Sequence, residues 1–291
     1  MNWRQEDVDD REIVKRISAI IGSDKTADDC AKITVGDKIL AVSTDMLHEK
    51  TDFPKGITDW QIGWMSAAVT ISDIASTGAK PVSLLLAAGL DNPDRIEEII
   101  RGADSACRKY GAEFSGGDVD SHSELTIVTT GIGITDSEHY ISRKGARPGE
   151  IVCVCGNLGH AQAGLLGDMR YFKDLCEPQP KVFEGMRLSE CKVSCMMDIS
   201  DGLAISLFDL SDANNCGFEI DKELVSLSDG IDFETAFYGG GDFGLLYTCQ
   251  KSLFEENNLP GLKLGVVTEK KGVRINGKNA EKRGYSHRWN E

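Results

Sequence analysis

The chain has no uncharged apolar run of 18 residues, so its sequence holds no candidate membrane-spanning helix. Its opening, MNWRQEDVDDREIV, lacks the basic-then-apolar layout of a secretory signal, and the cytoplasm is the expected location. No C-x-x-C pair occurs among the nine cysteines. Cys153 and Cys155 alternate with valines as strand residues do, so reduced, mostly buried thiols are expected rather than a zinc site. Positive charge is scarce too: 32 Lys and Arg against 47 Asp and Glu leave a net charge of −15. Such a surface repels nucleic acid and anionic lipid, so neither a nucleic acid nor a membrane is an expected partner. It equally repels nucleotide polyphosphates, unless carboxylate-held divalent cations invert the local sign.

The usual nucleotide signatures are also missing. No G-x-G-x-x-G follows a strand, and the protein-kinase H-R-D does not occur. GVRINGKN (272–279) approaches a Walker A loop but fails at Asn279, and no apolar helix follows it. Asn276-Gly277, set between β-type residues, reads instead as a hairpin turn.

What is present is a mixture of strand and helix patterns. Val8, Ile13, Val14, Ile17, Ile20 and Ile21 recur at helical spacing. KILAVSTD (38–45) reads as a strand, and 58–81 as a long helix with Thr58 as N-cap and Gly78 and Pro81 as stops. A buried strand is expected at 82–90 and a helix from Asn92-Pro93 to Tyr110. Further strands are expected at 112–118, ending in a glycine turn, and at 124–135. The basic, turn-rich SRKGARPGE (142–150) marks a boundary between expected domains at 1–141 and 142–291. Beyond it, IVCVCG, CMMD, FGLLYTC and LKLGVV read as strands, and 158–166 and 202–214 as helices. The fold class expected is α/β and α+β, in two halves.

The placement of acids stands out. TADDCAKI sets Asp28 and Asp29 before a strand, and AVSTDML puts Ser43, Thr44 and Asp45 at the end of another. TISDIAS aligns Asp73 with Val69, Ser66 and Ile62 on a helical stripe. SGGDVD places Asp118 after Gly-Gly, and MMDISDGL adds Asp198 and Asp201. Any one of these is explained by a turn, a solvated face or, for Ser200 and Asp201, a helix cap. Together they repeat one pattern, a carboxylate often beside Ser or Thr, and Mg²⁺ takes such oxygens together with substrate phosphates. Two carboxylates suffice for a glycosidase, whereas this many suit a multi-metal polyphosphate site. Glycines at 116–117 and 239–241 allow backbone N–H groups to approach phosphate oxygens, and Arg143 and Lys144 supply positive charge.

DDCA, STDMLHEKTDFP, SDIASTGAKP, GGD, SRKGARPGE, DISDGL and GGGDFGLLYT follow one another from about residue 24 to the C-terminus. In this order they resemble the thiamine-monophosphate kinase family of the aminoimidazole ribonucleotide synthetase-like superfamily. The resemblance implies a two-domain fold whose N-terminal half pairs with a second subunit in a dimeric β-barrel, and hence a homodimer. It also implies ATP-dependent phosphorylation of thiamine monophosphate to thiamine diphosphate with several Mg²⁺ ions. Family metal ligands fall on Asp29, Ser43, Thr44, Asp45, Asp73, Asp118, Asp198 and Asp201. ATP contacts fall on Gly117, Asp118, Arg143 and Ser200. Substrate contacts fall on Asp52, Gly241 and a C-terminal aromatic, Tyr285, with Trp289 competing for that place. No protein base is expected, because a phosphate monoester with a second pKa near ~6 is already mostly dianionic at neutral pH.

Three positions depart from the family pattern. Ala27 replaces a glycine of the Gly-Ile/Val-Gly-Asp-Asp loop, and Asp52 stands where a histidine is usual. Both glutamates of GGEDYEL are glycine here, at 241 and 244. These two glycines support an alternative, a catalytically weak paralogue that binds nucleotide or thiamine phosphate. Another superfamily reaction is a further alternative. Selenophosphate synthesis needs an early reactive cysteine, and only Cys30 is early; hydrogenase-maturation relatives end in cysteine, and this chain ends HRWNE.

Overall fold

Alternation of apolar and small residues in KILAVSTDMLH and TIVTTGIGITD builds the centre of the first sheet in the computed structural model, which describes residues 10–287. Five strands form it: β1 (Ala31–Val35), β2 (Lys38–His48), β3 (Lys80–Leu90), β4 (Glu113–Ser121) and β5 (Thr126–Asp136). Their order is β1-β2-β5-β3-β4, antiparallel except for the β3–β4 pair. The β2–β5 register sets Ala41 opposite Gly133, Ser43 opposite Gly131 and Asp45 opposite Thr129 on one face. That face is covered by α2 (Asp59–Ser76) and α3 (Ile96–Tyr110), whose Ile62, Ala67, Ile71, Ile99 and Ala103 are fully or nearly buried. A capping box starts α2: Thr58 Oγ1 accepts from Gln61 N–H, and the Gln61 side chain accepts from Thr58 N–H.

Among the described residues no helix covers the opposite face of this sheet. Leu40 pairs with Ile134, Val42 with Ile132 and Met46 with Val128 on that side. Ile33, Val35, Met46 and Leu85 are between 38% and 56% exposed there.

The second half carries seven strands in the order β12-β11-β8-β10-β6-β9-β7. They are β6 (Ile151–Cys155), β7 (Cys195–Ile199), β8 (Gly217–Ile220), β9 (Gly244–Cys249), β10 (Leu262–Thr268), β11 (Gly272–Ile275) and β12 (Lys278–Asn279). Every residue of β6, β7 and β9 is buried, as expected of short apolar runs covered on both sides. One side packs on α7 (Leu203–Asn214) and α8 (Phe233–Tyr238) through Leu207, Phe218, Phe237 and Leu246. The other packs on α6 (Val182–Glu190) through Leu188, Met196 and Tyr247. The Asn276-Gly277 hairpin joins β11 to β12, with both turn residues at positive φ.

The remaining helices are α1 (Asp10–Ile21), α4 (His160–Leu165), α5 (Phe172–Cys176) and α9 (Lys251–Glu256). His160 joins α4 to α5 and a nearby loop, bonding Asp174 at 2.6 Å through Nδ1 and Ser228 at 2.8 Å through Nε2. All nine cysteines are unpaired, and all but Cys191 are buried. Among the described residues no helix is long and apolar enough to cross a membrane.

The glycine turn expected to end the strand at 112–118 is not one. The chain runs extended through Gly116-Gly117 to Ser121, with a bulge where Leu84 and Leu85 meet Phe114 and Gly116. A Cβ on Gly117 would lie 1.7 Å from Leu86 O, so close strand approach accounts for this glycine. The long helix ends at Ser76, with the expected stop Gly78 at positive φ just beyond its C-cap Thr77, and β3 already starts at Lys80. Helices α5, α6, α8 and α9 have no counterpart in the sequence reading; each has at most nine residues, too few for a clear period. Val8 lies outside the described residues, as does Trp289.

Candidate active site

Three elements from distant parts of the chain bring carboxylates together. Asp29 lies in the loop before β1, Asp73 one turn from the end of α2, and Asp198 in the buried strand β7. One carboxylate oxygen from each lies within 4.8 Å of the others. Asp198 is 2% exposed and the Asp29 side chain 1%.

Each acid has a hydroxyl partner. Ser72 Oγ donates to Asp198 Oδ2 at 2.8 Å, Ser43 Oγ to Asp73 Oδ2 at 2.5 Å, and Ser76 Oγ to Asp29 Oδ2 at 2.6 Å. Asp45 joins the group from β2 and accepts from Thr70 Oγ1 at 2.6 Å. The helical spacing of TISDIAS aims Ser72, Asp73 and Ser76 at this cluster.

Positive charge comes from Arg143, which bonds Asp29 through Nε at 2.8 Å and also through Nη2. Its backbone N–H reaches Asp28 at 3.1 Å, and the Tyr140 hydroxyl reaches the same carboxylate at 3.3 Å. One guanidinium does not neutralise this many acids. Burial, then the charges of Asp45, Asp198 and Asp29, pushes the Asp73 carboxyl well up from its usual range. Asp198 is pushed up to about 8 by burial and by Asp29, and Asp28 to about 6 by the same two causes. Burial also raises Asp45. A dense, all-oxygen cluster short of positive charge suits a hard divalent cation such as Mg²⁺.

Asp201 lies apart from this triad. It does not cap α7, whose N-cap, Gly202, offers no side chain. Its carboxylate instead accepts from Arg11 Nη2 at 2.9 Å, and burial raises its pKa in spite of that partner. Ser200 and Asp201 line a cleft of about 410 Å³ with Arg143, Lys144, Ala27 and Lys282. Gly241 N–H bonds Ser200 O at 2.6 Å, and Tyr285 N–H bonds Asp201 O at 2.9 Å. Two of the three expected substrate residues therefore meet the Ser200–Asp201 turn. The third, Asp52, accepts from His48 N–H at 2.7 Å and is one of the acids near the Tyr285 hydroxyl, which burial chiefly keeps protonated.

The other expected residues stand elsewhere. Thr44 alternates to the bare face of the first sheet, where its hydroxyl bonds Thr129 O and Thr130 at 3.0 Å. Asp118 is exposed on that same face and lines a separate cleft of about 400 Å³ with Met46, His48 and His122. Gly117 is its neighbour in β4.

Ser72, Ser76 and Thr70 are not among the residues the motifs point to, although their spacing around Asp73 in α2 carries the signal. Asp28 stands out in the sequence only as the neighbour of Asp29. Nothing local marks Arg11, which lies 190 positions from Asp201.

An acid-rich site joining these two halves defines an AIR synthase-like protein, and the family model described as AIR synthase related protein, N-terminal domain, matches residues 27–135. The chain is 48% identical to a thiamine-monophosphate kinase of Methanospirillum hungatei, over 97% of this chain and 100% of that one. It is 35% identical to the enzyme of the same name from Halobacterium salinarum, covering 96% and 100%. The solved structure of AaThiL complexed with AMPPCP and TMP superimposes with a TM-score of 0.92, at 26% identity and 99% coverage of both chains. The chain belongs to the thiamine-monophosphate kinase family.

Proposed function

We propose that this protein transfers the γ-phosphoryl group of ATP to the phosphate of thiamine monophosphate, giving thiamine diphosphate. The observation that carries the reading is the convergence of Asp29, Asp73 and Asp198 within 4.8 Å beside Arg143, together with family membership.

The acceptor phosphate is mostly a dianion at neutral pH, so it needs no deprotonation. The difficulty is to bring two strongly anionic groups into line in an acidic protein. Mg²⁺ ions bound by Asp29, Ser43, Asp45, Asp73 and Asp198, with Asp201 as a further ligand, would neutralise phosphate charge, and Thr44 and Asp118, on the sheet's other face, are assigned to a separate ion. The hydroxyls of Ser72, Ser76 and Thr70 hold their carboxylates in fixed rotamers, so the ligand oxygens are preorganised. Arg143 stays protonated: burial works against its charge, but Asp29 more than compensates. It is the residue we assign to the nucleotide phosphates, with Ser200, Gly117 and Asp118. Asp52, Gly241 and Tyr285 are assigned to thiamine monophosphate, with Tyr285 presenting its ring to the heterocycle.

The bare apolar face of the first sheet supports a homodimer in which two such sheets close on each other. Nine unpaired thiols support a reducing compartment, the cytoplasm. The domains are assigned as 1–141 and 142–291, each holding one sheet.

The test is purified protein with ATP, Mg²⁺ and thiamine monophosphate, followed for thiamine diphosphate by chromatography. Product dependent on all three supports the reading. Binding of both ligands by calorimetry without product overturns it.

A further inference from the structure

Arg11 has no part in the proposed transfer, yet it ties α1 to Asp201 and to Asp209 of α7 in the C-terminal half. Its Nη2 bridges Asp201 Oδ2 at 2.9 Å and Asp209 Oδ2 at 3.0 Å, and Nε lies 3.3 Å from Asp209 Oδ2. Asp10 and Asp209 both add negative charge at Asp201, so without Arg11 several carboxylates face one another. The rest of α1 is largely exposed. None of its residues is buried, and Val14, Ile17, Ile20 and Ile21 are all more than 40% exposed. Asp10, Arg11, Val14 and Lys15 also form one wall of the 410 Å³ cleft that contains Arg143 and Ser200.

We propose that Arg11 is a positioning residue that reserves Asp201 for a divalent cation and yields it when the cation arrives with nucleotide. This rests on the proposed function for the role of Asp201. Arg11 holds Asp201 through Oδ2, and a divalent cation that takes the same oxygen would compete for its lone pairs and repel the guanidinium. The ion pair is partly solvated, with side-chain exposures of 24% for Arg11 and 28% for Asp201, so it is a weak competitor. Displacing it detaches α1 from α7 and opens that wall of the cleft. Until then, Arg11 keeps Asp201 and Asp209 from repelling each other.

The test is hydrogen exchange of the α1 segment in the full-length protein, in EDTA and with Mg²⁺ plus a non-hydrolysable ATP analogue. Exchange in wild type should rise at least fivefold on ligand addition. Arg11→Gln should exchange fast in both conditions. Asp209→Asn, which leaves Asp201 intact, should exchange faster than wild type in EDTA. Arg11→Gln should also bind Mn²⁺ several-fold more tightly, read by electron paramagnetic resonance. Unchanged or stronger protection of α1 on ligand addition would overturn the proposal, as would weaker Mn²⁺ binding by Arg11→Gln. The thiamine diphosphate assay is independent: its failure with α1 still released counts against the function alone, and product without release counts against Arg11 alone.

Discussion

Ser72 Oγ on α2 donates a 2.8 Å hydrogen bond to Asp198 Oδ2 on β7, joining the layer above the first sheet to the edge strand of the second. Both groups are buried, so this bond spans the two halves at the point where the acids converge. A hydrogen bond to a carboxylate favours its charged form. Ser72→Ala should raise the Asp198 pKa, and the acid limb of the pH–rate profile should move to higher pH. An unshifted limb with a uniformly lower rate would mean that Ser72 matters only for packing.

Asp73→Asn separates binding from folding. The carboxylate is repelled by Asp45, Asp198 and Asp29, so its removal should leave stability in EDTA unchanged or improved. Turnover should fall by about 100-fold or more, since a charge-stabilising ligand is lost. Urea denaturation and steady-state kinetics on the same preparation check both halves. Parallel loss of stability and activity would contradict the assignment.

The pH dependence of stability in EDTA follows from raised carboxyl pKa values. Asp242, buried where it accepts from Gly159 and Ala161 N–H, is pushed up to about 6 by burial. Asp28 is likewise near 6 and Asp198 near 8. A carboxyl whose folded pKa exceeds its unfolded value contributes stability that is complete below the unfolded pKa and lost as pH rises through the folded one. Stability in EDTA should therefore increase as pH falls from about 8 toward 4, by on the order of 1.4 kcal/mol per unit of upward shift. Mg²⁺ should flatten the profile by favouring the ionised acids. Urea midpoints across this range measure it.

Gly241 sits at φ +92°, and a Cβ there would lie 2.9 Å from Ala161 Cβ. Restoring the family glutamate by Gly241→Glu should cost about 1–2 kcal/mol for the backbone conformation. The urea midpoint should drop. An unchanged midpoint would show that the loop adjusts freely.

The bare sheet face predicts association. Val42→Lys or Ile132→Lys places a charge among Leu40, Met46 and Ile134 without touching the acid cluster. Sedimentation should show a dimer for the wild type and monomer for the variants. A monomeric wild type would remove the proposed pairing.

Much of the fold is legible in local pattern. The period-2 alternation of β2 and β5, the Thr58 capping box and the Asn276-Gly277 hairpin are short-range features, set by residues within a few positions of one another. The Gly116-Gly117 step is not legible locally, because a glycine pair signals a turn and a bulge alike, and only the neighbouring strand β3 distinguishes them.

The site divides the same way. Composition and motif order point to a set of acids as candidate cation ligands, because clustered carboxylates beside hydroxyls in apolar surroundings suit a hard cation. Tertiary structure decided which of them meet. Asp29, Asp73 and Asp198 converge because α2 touches both the first sheet and β7 of the second, while Thr44, one residue from Ser43, turns to the opposite face because strand side chains alternate. Pairing Arg11 with Asp201 across 190 positions is decided by packing alone, since Coulomb attraction acts on distance in space and leaves no local mark in the chain.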